Sequence, residues 1–119
     1  MDASRPTVLV VDDDAAIRLL CRVNLELDGW TVREADTVAL AREALALGDV
    51  RAALVDVHVG DESGLAFLEE LRRDHPDVGV ALLTGTIDAP TLDGATPDAL
   101  IPKPFELDEL LETVRTIAG

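Results

Sequence analysis

The sequence predicts an α/β protein: a single doubly wound, five-stranded parallel sheet with helices on both faces. Three observations predict it. Short apolar runs alternate with segments of helical periodicity along the chain, the order that builds parallel sheets. Some of those runs are continuously apolar, as expected of strands buried on both faces. The chain has 119 residues, 48% of them hydrophobic, which is enough for one core and one domain spanning 1–119.

The elements follow in order. Thr7–Val11 (TVLVV) is a β-branched run that stops at three aspartates. Asp13 or Asp14 can cap the helix that follows, which carries Ile17, Leu20, Cys21 and Leu25 on one face. Asp28-Gly29 ends that helix, with Gly29 suited to the left-handed position beyond the cap. Trp30–Ala35 is the second strand. Val38, Ala41 and Leu45 mark a second helix, ended by Gly48. Ala52–Asp56 is the third strand, again closed by an aspartate. Ser63 caps a third helix with Leu65, Leu68 and Leu71 inward, and His75-Pro76 closes it. Val78–Thr84 is the fourth strand. Leu100 and Ile101 form a short fifth strand before Lys103, and a last helix sets Leu107, Leu110, Leu111, Val114 and Ile117 at helical spacing. Between them, Thr86–Asp98 holds Pro90, Gly94 and Pro97, so the fourth helix is expected to be short or irregular, with one or two turns at most.

Composition excludes several functions. Ten Lys and Arg face 24 Asp and Glu, a net charge of −14. Binding of nucleic acid or an anionic membrane by this domain requires the opposite surface. Aromatics are 3%, too few for base-stacking platforms. Cys21 is the one cysteine, which excludes an internal disulfide and a thiolate metal cluster. The N-terminus has no apolar signal core and no apolar run is long enough for a membrane span, so the expected setting is cytoplasmic.

Four predicted strands end in residues able to do chemistry: Asp12 and Asp13, Asp56, Thr84, and Lys103. Open parallel sheets bind ligands outside the carboxyl ends of their strands, so the fold brings these residues to one edge. Carboxylates crowded there repel one another unless a cation intervenes. An oxygen-only set of this kind suits Mg²⁺, with Mn²⁺ as the alternative. A carboxylate nucleophile, a metal, a hydroxyl and an ammonium are the parts of phosphoryl transfer to an aspartate.

In order and spacing, VLVVDDD, ALVDVHVGDESG, ALLTGT and IPKPF resemble the motifs of bacterial response-regulator receiver domains. The resemblance covers nearly the whole chain. It implies a flavodoxin-like sheet of order 2-1-3-4-5 and a phosphorylation-dependent signalling switch, not an enzyme. It further implies Asp56 as phosphoacceptor, Asp13 as direct Mg²⁺ ligand and Asp12 acting mainly through bound water. The backbone carbonyl of His58 would be another ligand. Thr84 would bond the phosphoryl group and Lys103 neutralise it, with Lys103–Pro104 a candidate cis peptide. The implied phosphate source is a sensor histidine kinase or histidine phosphotransfer domain, with an unspecified output partner.

Three departures from the family pattern stand out. Gly60 replaces the usual proline after the phosphoacceptor, which predicts a looser loop. Leu100 replaces the switch aromatic. The interval from Thr84 to Lys103 is short by about one helical turn. Two other function classes fit parts of the sequence. Asp12-Asp13-Asp14 after VLVV resembles the haloacid-dehalogenase phosphatase signature, with Asp12 as nucleophile and Asp14 as acid/base; it leaves Asp56 unexplained. A receiver-like interaction module that is not phosphorylated fits the altered output face.

Overall fold

The computed structural model describes residues 6–85 and 96–119. Along the chain run β1 (Thr7–Val11), α1 (Ala15–Leu27), β2 (Thr31–Ala35), α2 (Val38–Ala46), β3 (Val50–Asp56), β4 (His58–Val59), β5 (Glu62–Ser63), α3 (Gly64–Asp74), β6 (Gly79–Thr84), β7 (Ala99–Pro102) and α4 (Leu107–Ala118). Among the described residues the main sheet has five strands, all parallel, in the order β2-β1-β3-β6-β7. This is the predicted order, with β6 and β7 as the fourth and fifth strands.

Strand alternation sorts the apolar runs into two cores. Leu9, Val11, Ala53, Val55, Val80 and Leu82 face α2 and α3. Val8, Val10, Ala52, Leu54, Ala81 and Leu83 face α1 and α4. Burial on both faces explains why these strands read as unbroken apolar runs.

The helix ends are built as their sequences dictate. Asp14 caps α1 by accepting from the Ala16 amide. Thr37 caps α2 through the Leu40 amide, and Ser63 caps α3 through the Ala66 amide. Gly29 follows α1 at φ +97, where a side chain would be strained. One expected inward residue is misplaced. Leu20 is 41% exposed, and the buried stripe of α1 runs instead through Cys21 and Leu25, with Ile17 packed beside it. Burial pushes the Cys21 thiol up to about 12, so it behaves as a small core side chain.

Two further features concern the site. The chain after Asp56 is not the loose loop expected from Gly60. It closes as an antiparallel hairpin, β4 paired with β5. Gly60 supplies the positive φ of +61 at the first turn position, where a type II′ hairpin turn takes glycine. Glu62 then ties the hairpin to α2 by accepting from the Val38 amide at 3.0 Å. Two strands away from β3, β7 is an edge strand, where Pro102 is tolerated without its missing donor. The Lys103–Pro104 peptide is cis. Of the predicted short helix over Thr86–Asp98, residues 86–95 lie outside the described residues. Asp98 is fixed: its amide donates to the Val80 carbonyl at 2.8 Å, and its carboxylate Oδ2 accepts from the Val80 amide at 2.8 Å and pairs with Arg72 of α3 at 3.0 Å.

Candidate functional site

The chain leaves β1 toward β2 on one side, then returns to place β3 on the other. The carboxyl ends of β1 and β3 therefore border a topological switch point. Asp12 and Asp13 follow β1 and Asp56 ends β3. Thr84 ends β6 and Lys103 follows β7, with the Lys103 amide donating to the Thr84 carbonyl at 2.7 Å. The fold thus gathers every predicted site residue at one edge.

Asp12, Asp13 and Asp56 each present a carboxylate oxygen within 4.8 Å of the other two. Their exposures differ. Asp12 is fully buried, Asp56 keeps 14% of its side chain open, and Asp13 is exposed. Lys103 Nζ lies 2.8 Å from Asp12 Oδ2 and 2.9 Å from Asp56 Oδ2. Asp12 Oδ1 accepts from the Asp14 amide at 2.9 Å, and Asp56 Oδ1 accepts from the His58 amide at 3.1 Å. The His58 side chain is exposed beyond the pocket. Thr84 is buried, and no buried side-chain polar atom among the described residues lacks a partner.

The charges follow from this geometry. Burial pushes the Asp12 carboxyl up from its ordinary value, against the opposing pull of the Lys103 hydrogen bond. Burial also works against charge on Lys103, but its bonds to Asp12 and Asp56 outweigh it and hold the ammonium above its ordinary range. The lysine is therefore a resident cation in an acidic pocket that holds more carboxylates than one ammonium neutralises.

Asp13 is the carboxylate that the lysine does not reach. Asp13→Asn is expected to raise the melting temperature in EDTA by about 5 °C, for roughly 1 kcal/mol of relieved repulsion near a surface. Saturating Mg²⁺ is expected to reverse that order by stabilising the wild type more. A variant that melts below wild type in EDTA would contradict this account of the pocket.

Sequence reasoning missed three residues here. Gly64 begins α3 directly under the Asp56 carbonyl, where a Cβ would overlap that oxygen. Glu62 anchors the hairpin, and Arg18 of α1 reaches the Asp12 carbonyl at 2.7 Å. Gly64 could have been read from the motif; the two contacts had no signature. Thr86, two residues beyond Thr84, lies outside the described residues. Trp30 precedes β2, at the opposite end of the sheet from Asp56. Leu100 sits on β7 with 44% of its surface exposed.

Comparison with known proteins agrees with this fold. The sequence model described as the response regulator receiver domain matches residues 8–115. The chain is 35% identical over 114 residues to the response regulator MprA of Mycobacterium ulcerans, covering 92% of this chain and 49% of that protein. A CheY-like receiver domain protein from Methanospirillum hungatei superposes with a TM-score of 0.88 at 28% identity, covering 97% of this chain and 94% of that one. The response regulator TrrA of Thermotoga maritima, solved in complex with Mg²⁺-BeF, gives 0.84 at 28% identity, covering 94% and 98%. The chain spans between 12% and 49% of the length of the first curated relatives it matches.

Proposed function

Since the chain belongs to the response regulator receiver domain family, a family of phosphorylation-dependent switches in two-component signalling, we propose that Asp56 is its phosphoacceptor. The phosphoryl donor in this reading is a phosphohistidine on a sensor kinase or a histidine phosphotransfer domain. The observation that carries it is the lysine bridge: one ammonium bound to both Asp12 and Asp56, within a triad of carboxylates.

The residues present fit Mg²⁺. The donor set is all oxygen, one carboxylate is exposed and a second is partly open, so a metal keeping several waters is accommodated. Asp13, Asp56 and the His58 backbone carbonyl would hold it, with Asp12 acting through water. When bound, Mg²⁺ supplies charge that offsets the crowded carboxylates and the phosphoryl oxygens.

The protein's own residues do the rest. Asp56 attacks: of the two carboxylates that Lys103 binds, it is the one with a route to solvent. Asp12 is fully buried, which disfavours it as a phosphatase nucleophile. The Asp56 oxygen forms a bond to phosphorus in line with the departing imidazole nitrogen, which keeps the electron pair of the broken P–N bond. Lys103 shifts its contact from the Asp56 carboxylate to a phosphoryl oxygen, and the Thr84 hydroxyl donates to another. The hydrogen bonds of β6 and β7 that carry these two side chains then pass the change to the surface around Leu100. The domain works as a switch in the cytoplasm, and its net charge of −14 disfavours direct contact with nucleic acid.

Beryllofluoride tests the reading, because it mimics a phosphoryl group on a carboxylate. Fluorine NMR is expected to show a slowly exchanging bound signal in wild type with Mg²⁺. The signal is expected to vanish in EDTA and in Asp56→Asn. A bound signal that survives Asp56→Asn would assign the acceptor elsewhere.

A further inference from the structure

We propose that Arg18 is a positioning residue for the metal-binding carboxylates: it fixes the Asp12–Asp13 peptide and so aims Asp13 at the pocket. The inference rests on the Mg²⁺ site described above and adds a residue to it.

The Asp12–Asp13 segment is pinned at successive groups. The Asp12 amide donates to the Ala35 carbonyl of β2 at 3.1 Å. The Asp12 carbonyl accepts from Arg18 Nη1 at 2.7 Å. The next amide, that of Asp14, donates to Asp12 Oδ1 at 2.9 Å. Asp13 therefore sits between two peptide groups that are both held, and Arg18 holds the first of them. Without it the Asp12 carbonyl loses a charge-assisted bond, and the peptide plane that sets the direction of Asp13 is free to turn.

Arg18 is itself oriented. Its Nε donates to Glu34 Oε1 of β2 at 3.1 Å, and Arg22 Nη1 holds the second Glu34 oxygen at 3.1 Å. Only 17% of the Arg18 side chain is exposed. A planar fork bonding a carboxylate and a carbonyl at once is a role that arginine fills and lysine does not.

The sign of the effect separates positioning from charge. Arg18 is a cation beside an acidic site. If it acted only through its field, removing it would tighten Mg²⁺ binding. If it positions Asp13, removing it weakens binding, as loss of outer partners does at other metal sites by about 10–100-fold.

The test is calorimetric titration of Mg²⁺ into wild type, Arg18→Met and Arg18→Lys, with melting curves in EDTA to establish that each is folded. Arg18→Met is expected to bind about tenfold more weakly, the low end of that range. Arg18→Lys keeps the charge and loses the fork, and is expected to fall about threefold below wild type. The rate of adduct formation from acetyl phosphate is expected to recover in Arg18→Met at saturating Mg²⁺, placing the loss in the metal requirement alone. Should Arg18→Met fail to fold, Arg18→Lys decides. Binding as tight as wild type in either folded variant overturns the assignment while leaving the receiver reading intact. A wild type that binds no Mg²⁺ overturns the reading beneath it as well.

Discussion

Gly64→Ala is expected to destabilise the protein by about 3 kcal/mol, lowering the melting temperature by roughly 10–20 °C, and to slow modification of Asp56 at least tenfold. The added methyl would overlap the Asp56 carbonyl oxygen and press on the Asp56 carbonyl carbon and Val57 Cα. These are backbone atoms at the end of a central strand, so no rotamer change relieves the overlap. Either α3 backs away, breaking the 2.7 Å bond from the Gly64 amide to the Val57 carbonyl, or the end of β3 moves and takes the Asp56 carboxylate with it. Gly60→Ala is the control. A Cβ there meets nothing within 4 Å, but the residue has φ +61, so its cost is confined to about 1–2 kcal/mol of left-handed backbone strain. Thermal melts and adduct rates for both variants check the contrast. Equal, small costs would mean that α3 does not pack on the end of β3 as described.

Lys103→Met removes the cation from two carboxylates at once, one of them fully buried. Breaking a buried pair by deleting one partner costs about 3–5 kcal/mol. Lys103 keeps 22% of its side chain exposed and the pocket opens past Asp13, so about 2–3 kcal/mol is expected here. Three further consequences have definite signs. Asp12 already titrates above 3.8 because it is buried, and the lysine bond opposes that rise; without the lysine its native value climbs further. A carboxyl whose native pKa exceeds its unfolded one binds more protons when folded, so the lost stability is expected to return as pH falls through the raised value toward 3.8. Mg²⁺ is expected to bind more tightly to Lys103→Met than to wild type, because a competing cation has gone. Adduct formation is nonetheless expected to fall by about 10²–10³, the usual loss when one charge-stabilising donor is removed. Urea melts across pH with and without Mg²⁺ measure the first two effects. A Lys103→Met protein as stable as wild type at neutral pH in EDTA would show that the lysine does not carry the Asp12 charge.

The strands were legible because their two buried faces leave unbroken apolar runs, and because those runs stop at residues that apolar packing does not explain. Asp12, Asp56 and Thr84 stood out as candidate site residues for that reason, and Lys103 by its place after a run ending in Pro102. The orientation of α1 was less legible. Leu19, Leu20, Val23 and Leu27 are all exposed by 41% or more while Cys21 and Leu25 are buried. With apolar residues on both sides of the helix, spacing alone does not choose the inner face. The hairpin was missed because each strand is two residues long, shorter than any period that a pattern can reveal. Gly60 was read as a relaxation of the loop, whereas its positive φ makes the turn. Arg18 and Glu62 were invisible because their contacts run to backbone groups, which carry no sequence signature. The departures at Leu100 and in the short interval before Lys103 remain features of the output side, where residues 86–95 lie outside the described structure.

The central claim, a Mg²⁺-dependent phosphoryl transfer to Asp56, is tested most directly by intact mass. Wild type and Asp56→Asn are incubated with acetyl phosphate, each with Mg²⁺ and with EDTA. One phosphoryl adduct is expected in wild type with Mg²⁺ and none in the other three samples. An adduct of the same yield in Asp56→Asn, or in wild type with EDTA, would contradict it.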